Sequence, residues 1–134
     1  MTRLLPVVFA LLTATPALAE SYACTVQDFT TFSRDDTGFI EANKRKTYDL
    51  TIDGDTITLA MHSQDFESNT YSYTVTRRAF LDTIARRADS SGVNLLVLPP
   101  RPAATLARDG HFSATLSVQS NHYTNSWLLA CKAP

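Results

Sequence analysis

Between Tyr48 and Met61 apolar and polar residues alternate on both sides of an Asp-Gly pair, and this pattern constrains the fold more than any other feature. Tyr48, Leu50 and Ile52 precede Asp53-Gly54, and Ile57, Leu59 and Met61 follow it. Asp-Gly between alternating runs predicts a β-hairpin, because the turn needs residues that accept positive φ. A two-residue loop would pair Ile52 with Asp55, Leu50 with Ile57 and Tyr48 with Leu59, placing every apolar side chain on one face. A three-residue loop would split that face, while a four-residue loop preserves it, so an even loop is expected.

The same period of two recurs along the chain. Ser21 to Phe29 sets Tyr22, Cys24 and Val26 on one face, and Tyr71, Tyr73 and Val75 continue the pattern as another strand. Val93 to Leu98 is short and apolar enough for a buried strand, ended by Pro99, Pro100 and Pro102. Thr105 to Ala107 reads as a small strand turned by Arg108-Asp109-Gly110. Phe112, Ala114, Leu116 and Val118 alternate again, as do Trp127, Leu129 and Cys131. Thr30 to Arg45 is the least periodic stretch: Asp35-Asp36-Thr37-Gly38 signals a turn, with Phe39 and Ile40 returning to the core. Only Arg77 to Ala88 breaks the alternation, with Phe80, Leu81, Ile84, Ala85 and Ala88 at helical spacing and Ser90-Ser91-Gly92 as a stop. The expected fold is mainly β: a small antiparallel β-barrel or two-sheet sandwich of seven or eight strands with one short helix.

Cys24 and Cys131 are the only cysteines, so they allow one pairing. Each shares a face with its strand's apolar residues. A disulfide between them would join the inner faces of the first and last strands and hold the two ends of the fold together.

Met1 to Ala19 reads as a cleaved signal peptide. Arg3 precedes an apolar run from Leu4 to Leu12, Thr13 to Pro16 break it, and Ala17-Leu18-Ala19 supplies small residues for cleavage before Glu20. The run is half the roughly 20 residues a membrane span needs. Tyr22, beside Cys24, is too bulky for a lipoprotein box, so no membrane anchor is expected. Export, to the periplasm or beyond, also suits a disulfide. Removing 19 residues from 134 leaves 115, enough for a single β-rich domain over 20–134. Without Arg3 the mature chain holds 11 basic and 13 acidic residues, a balance offering no general attraction for nucleic acid.

Chemistry-bearing patterns are sparse. His62, His111 and His122 include no short-spaced pair of the kind that zinc sites use, and Asp53-Gly54-Asp55 lacks the ligands of a calcium loop. No Gly-x-Ser-x-Gly elbow is present. A disulfide removes Cys24 as a nucleophile, and Asp65 with Glu67 reads as a solvated rim. No catalytic residue, metal or cofactor is expected. Lys44-Arg45-Lys46 with Arg77-Arg78 and Arg86-Arg87 hold seven of the eleven mature cations. The two arginine doublets would form an anion-binding patch if they converged, although an ideal helix puts Arg77 and Arg86 half a turn out of phase. Tyr22, Tyr48, Tyr71, Tyr73 and Trp127 all fall on inward faces, and Tyr71, Tyr73 and Trp127 are the candidate ligand-binding aromatics.

An exported chain with Tyr22, Cys24 and Cys131 in this arrangement resembles the small periplasmic lysozyme inhibitors of the membrane-bound C-type-inhibitor family. The resemblance implies a compact β-barrel that blocks an enzyme with a loop. Ser68-Asn69-Thr70-Tyr71 lacks the glycine of that family's Ser-Gly-x-x-Tyr loop, so no residue role is carried over. The leading expectation is a non-enzymatic binding module of the cell envelope, taking a small ligand or another envelope protein. An inhibitor of an extracellular hydrolase such as lysozyme comes second, and a small hydrolase third.

Overall fold

The computed structural model describes residues 18–32, 36–89 and 91–134. Residues 1–17, and with them nearly all of the export segment, lie outside the described residues. Eight strands run in chain order: β1 Glu20–Phe32, β2 Thr47–Asp53, β3 Thr56–His62, β4 Asn69–Arg78, β5 Thr83–Arg87, β6 Val93–Leu98, β7 Phe112–Gln119 and β8 Thr124–Lys132. Each pairs antiparallel with the next, and β8 returns to β1, so the sheet is a closed barrel and not a sandwich. Closure leaves no strand of the described residues with a wholly open edge, although β1 beyond Thr25 pairs with β8 alone.

Cys24 and Cys131 are direct register partners across the β1–β8 seam, both buried, and form a disulfide with their Cα atoms 4.0 Å apart. The inward faces expected from the alternation are the buried ones: Tyr22, Tyr48, Leu50, Ile57, Leu59, Tyr73, Leu96, Leu116, Trp127 and Leu129. In β1 a register shift between Val26 and Asp28 resets the alternation, and Phe29 therefore points inward.

Three local expectations are corrected. The hairpin loop is even, but its two residues are Gly54-Asp55, so Ile52 pairs with Ile57, Leu50 with Leu59 and Tyr48 with Met61. Gly54 takes φ 59°, and sliding the pairing by two residues keeps every side chain on its face. Arg77 to Ala88 is not a helix. It is the end of β4, a turn closed by the Ala79 N–H donating to Asp82 C=O at 2.8 Å, and β5. Phe80 and Leu81 stand on that turn, 93% and 72% exposed, so the helical spacing came from two strands meeting at a tip. Thr105 to Ala107 is not a strand but lies within a helix, Pro102–Asp109.

Two helices occur among the described residues. The first, α1 (Thr37–Lys44), starts where the Asp36 carboxylate accepts from the N–H groups of Gly38 and Phe39. Phe39 and Ile40 pack toward the core from it. The second, α2 (Pro102–Asp109), opens with proline in its first turn and closes on Gly110 at φ 76°. Because strands alternate direction, α1 and the β3–β4, β5–β6 and β7–β8 loops gather at one end of the barrel. The β2–β3 and β4–β5 turns and α2 gather at the other.

Candidate functional site

Both ends are hollowed. Leu50, Leu59, Leu96 and Leu129, each 0% exposed, line neither hollow and pack the waist between them. The cavity at the α1 end measures about 430 Å³, within the roughly 300–1,000 Å³ of small-ligand pockets. Tyr71, Tyr73 and Trp127, from strands far apart in the chain, all line it, together with Tyr48, Lys46 and Arg87. Met61, Leu116 and Val118 give it an apolar surface.

Period-two geometry explains each placement. Lys46 lies two residues before Tyr48, on the inner face of the segment entering β2. Arg87 lies two residues beyond buried Ala85, and Tyr71 and Tyr73 share one face of β4. Lys46 is held in place by Asn43, a buried residue of α1. The Lys46 ammonium donates to Asn43 Oδ1 at 2.7 Å, and Asn43 Nδ2 donates to Phe39 C=O at 2.9 Å. That ammonium also lies 4.3 Å from the Phe66 ring centroid and 5.1 Å from that of Trp127. Burial lowers its pKa to about 8, so it remains mostly cationic at pH 7.

On the facing wall, the Arg87 guanidinium sits 4.6 Å from the Tyr71 ring centroid and donates to Asp89 Oδ1 at 2.7 Å. Asp89 is largely exposed, and the arginine holds its pKa below the usual carboxylate range. Burial pushes the Tyr73 hydroxyl up to about 12 and raises that of Tyr48 further, so both stay protonated donors. Trp127 Nε1 is buried with no hydrogen-bond partner among the described residues.

The arginine doublets do not converge. Arg78 pairs with inward Thr83 and lines the opposite cavity, its guanidinium donating to Gly54 C=O and Asp55 Oδ1. Arg77 and Arg86 lie on the outer face, opposite Ile84 and Thr74. Of the Lys44-Arg45-Lys46 run, Lys44 approaches Glu41 and Arg45 makes a two-pronged contact with Asp65. The convergent cations are therefore Lys46 and Arg87. Lys46 was one of seven in the sequence and was not among the candidates named there; its parity with Tyr48 was a signal that could have found it, and Asn43 had no such signal.

The α2-end cavity, about 460 Å³, has a different lining: Ile52, Ile57, Val75, Leu98 and the start of α2, with Arg78 and Arg101 at hand. The three histidines are dispersed. His62 contacts Asp49, His111 contacts Asp109 C=O, and His122 sits in the β7–β8 turn. No group of three or more potential metal ligands occurs among the described residues.

Comparison with protein-family models, curated proteins and solved structures finds no match to this chain. The resemblance carried by Tyr22, Cys24 and Cys131 is thus joined by no family match, and the functional reading rests on the geometry of the mouth.

Proposed function

We propose that this protein is an exported, non-enzymatic binding module that takes a small ligand in the barrel mouth beside α1. The observation that carries the reading is the convergence of Tyr71, Tyr73 and Trp127 with Tyr48 on one cavity above a packed waist. Eight-stranded barrels enclose just enough space for side chains or one small ligand. Here the waist is filled and the mouth is hollow. Among the described residues its lining contains no histidine, carboxylate or thiol, the groups that most often do acid–base or nucleophilic work.

Export is supported by the Met1–Ala19 pattern and by the disulfide. No helix among the described residues is long and apolar enough to cross a membrane. The barrel's outer positions include exposed Thr25, Asp49, Ser72, Thr74 and Arg86, whereas a lipid-facing barrel needs an apolar outer band.

Trp127 is the chain's only tryptophan, so its emission reports on the mouth. Titrating the mature protein with a panel of neutral, cationic and anionic aromatic compounds should shift that emission and raise the melting temperature for some members. Tyr71→Ala should weaken those responses at least tenfold. A panel that moves neither readout would sink the reading.

A second reading has its own observation. Phe80 and Leu81 protrude from the β4–β5 turn at the opposite end, as an inhibitory loop would. If the chain blocks a hydrolase such as lysozyme, inhibition should disappear in Phe80→Ser/Leu81→Ser while the fold is kept. No inhibition by the wild type would remove this alternative.

A further inference from the structure

We propose that the ligand of the α1-end mouth is an organic anion with a planar apolar body, of the aromatic carboxylate class. Its charge would lie between Lys46 and Arg87, and its ring against Trp127 and Tyr71. The inference rests on the reading of this mouth as a ligand site and adds the ligand's charge and shape.

Two observations fix the sign. First, among the described residues the lining holds two cations and no carboxylate. A cationic ligand would meet net like charge there, and an anion would meet complementary charge in a partly desolvated cleft. Second, Lys46 enters the mouth without an acidic partner among the described residues. Its side-chain contacts there are an amide oxygen and two aromatic rings. Arg87 pairs with Asp89, which lies outside the lining, so the described residues leave the mouth one positive charge in excess.

The shape follows from the other walls. Trp127 and Tyr71 present ring surface, and Met61, Leu116 and Val118 present apolar surface. A small hydrated anion such as inorganic phosphate would leave those walls unused, and an alkyl chain would not exploit the rings.

The test compares 1-naphthoate with 1-naphthamide, which match in shape and differ in charge, by calorimetry on the oxidised mature protein. Naphthoate should bind at least tenfold tighter, and its affinity should fall with added salt. Lys46→Met and Arg87→Met should each cost naphthoate about tenfold while leaving naphthamide within about twofold, with melting curves confirming that both variants fold. Equal affinity for the two compounds would overturn the anion inference and leave the mouth a ligand site. Naphthoate binding insensitive to both substitutions would overturn it by placing the anion elsewhere. If neither compound binds while other panel members still shift Trp127 emission, the ligand class is wrong and the mouth reading stands. Silence from every compound removes both.

Discussion

The two mouths of this barrel are built from the same alternating strands, yet they differ in what the inward positions carry at each end. The α2 end is lined by aliphatic side chains, and the disulfide lies toward it, four residues after β1 begins there. Its Arg78 is tied to Asp55 and Gly54. At the α1 end, aromatic rings and donors take those positions, and Lys46 has no carboxylate among its described contacts. The contrast lies in one cation at each end: Arg78 has a carboxylate partner, and Lys46 has none among the described residues.

Substitutions can break or sharpen that contrast. The largest effect is expected from Cys24→Ser or Cys131→Ser. The bridge closes a separation of 107 residues, for which the chain-entropy account gives about 4–5 kcal/mol. The melting temperature should fall by more than about 10 °C, while ligand affinity of the folded fraction at the far mouth is kept. Oxidised and reduced forms that melt alike would show that the seam does not depend on its bridge.

A smaller pair of effects compares loops at the two ends. Gly92, between β5 and β6, has φ 71°, and a Cβ there would lie 2.1 Å from Gln119 O, in the strand beside it. Gly92→Ala should cost about 2–3 kcal/mol by chemical denaturation. Gly110 has φ 76° but open space around it, so Gly110→Ala should cost only about 1 kcal/mol. Equal costs would mean that backbone strain alone, not loop packing, governs both.

The smallest effect is a pH dependence at Lys46. Burial lowers its folded pKa to about 8, against about 10.4 in an unfolded chain. The charged form is therefore disfavoured in the fold, and this penalty is fully present below pH 8. Between pH 8 and 10 the unfolded chain binds more protons, so wild-type stability rises relative to Lys46→Met. The gap in melting temperature between the two proteins should change by a degree or two across that window. Tyr48 and Tyr73, whose pKa values burial raises, lose stability only above about pH 10 and do so in both proteins. A gap that stays constant would show that the Lys46 ammonium is solvated and not held in the mouth.

Much of this was legible in the sequence because strand parity is a local rule. The faces of Tyr22, Tyr48, Tyr73 and Trp127 followed from counting by twos, and the cysteine pairing from there being one way to pair. The same count puts Lys46 with Tyr48 and Arg87 with Ala85, so the two cations of the mouth were readable too. Where a tight turn joined two strands, at Phe80-Leu81, apolar residues on either side mimicked a helical period. The actual helices are eight residues each, too short for periodicity to declare them. Their caps were the available signal: Asp36 before α1, and Pro102 and Gly110 around α2. Asn43 was beyond reach, since its role depends on where α1 lands against the barrel.

The β1–β8 seam also bears on how the chain matures. If the chain is exported as proposed, threaded N-terminus first into an oxidising compartment, it presents Cys24 at once and Cys131 only as the seventh strand after β1 follows it through. The first thiol must wait, and no other cysteine in the chain can capture it meanwhile. On that route oxidation would need an electron acceptor but no reshuffling catalyst, and the bridge would become a timestamp of completed passage.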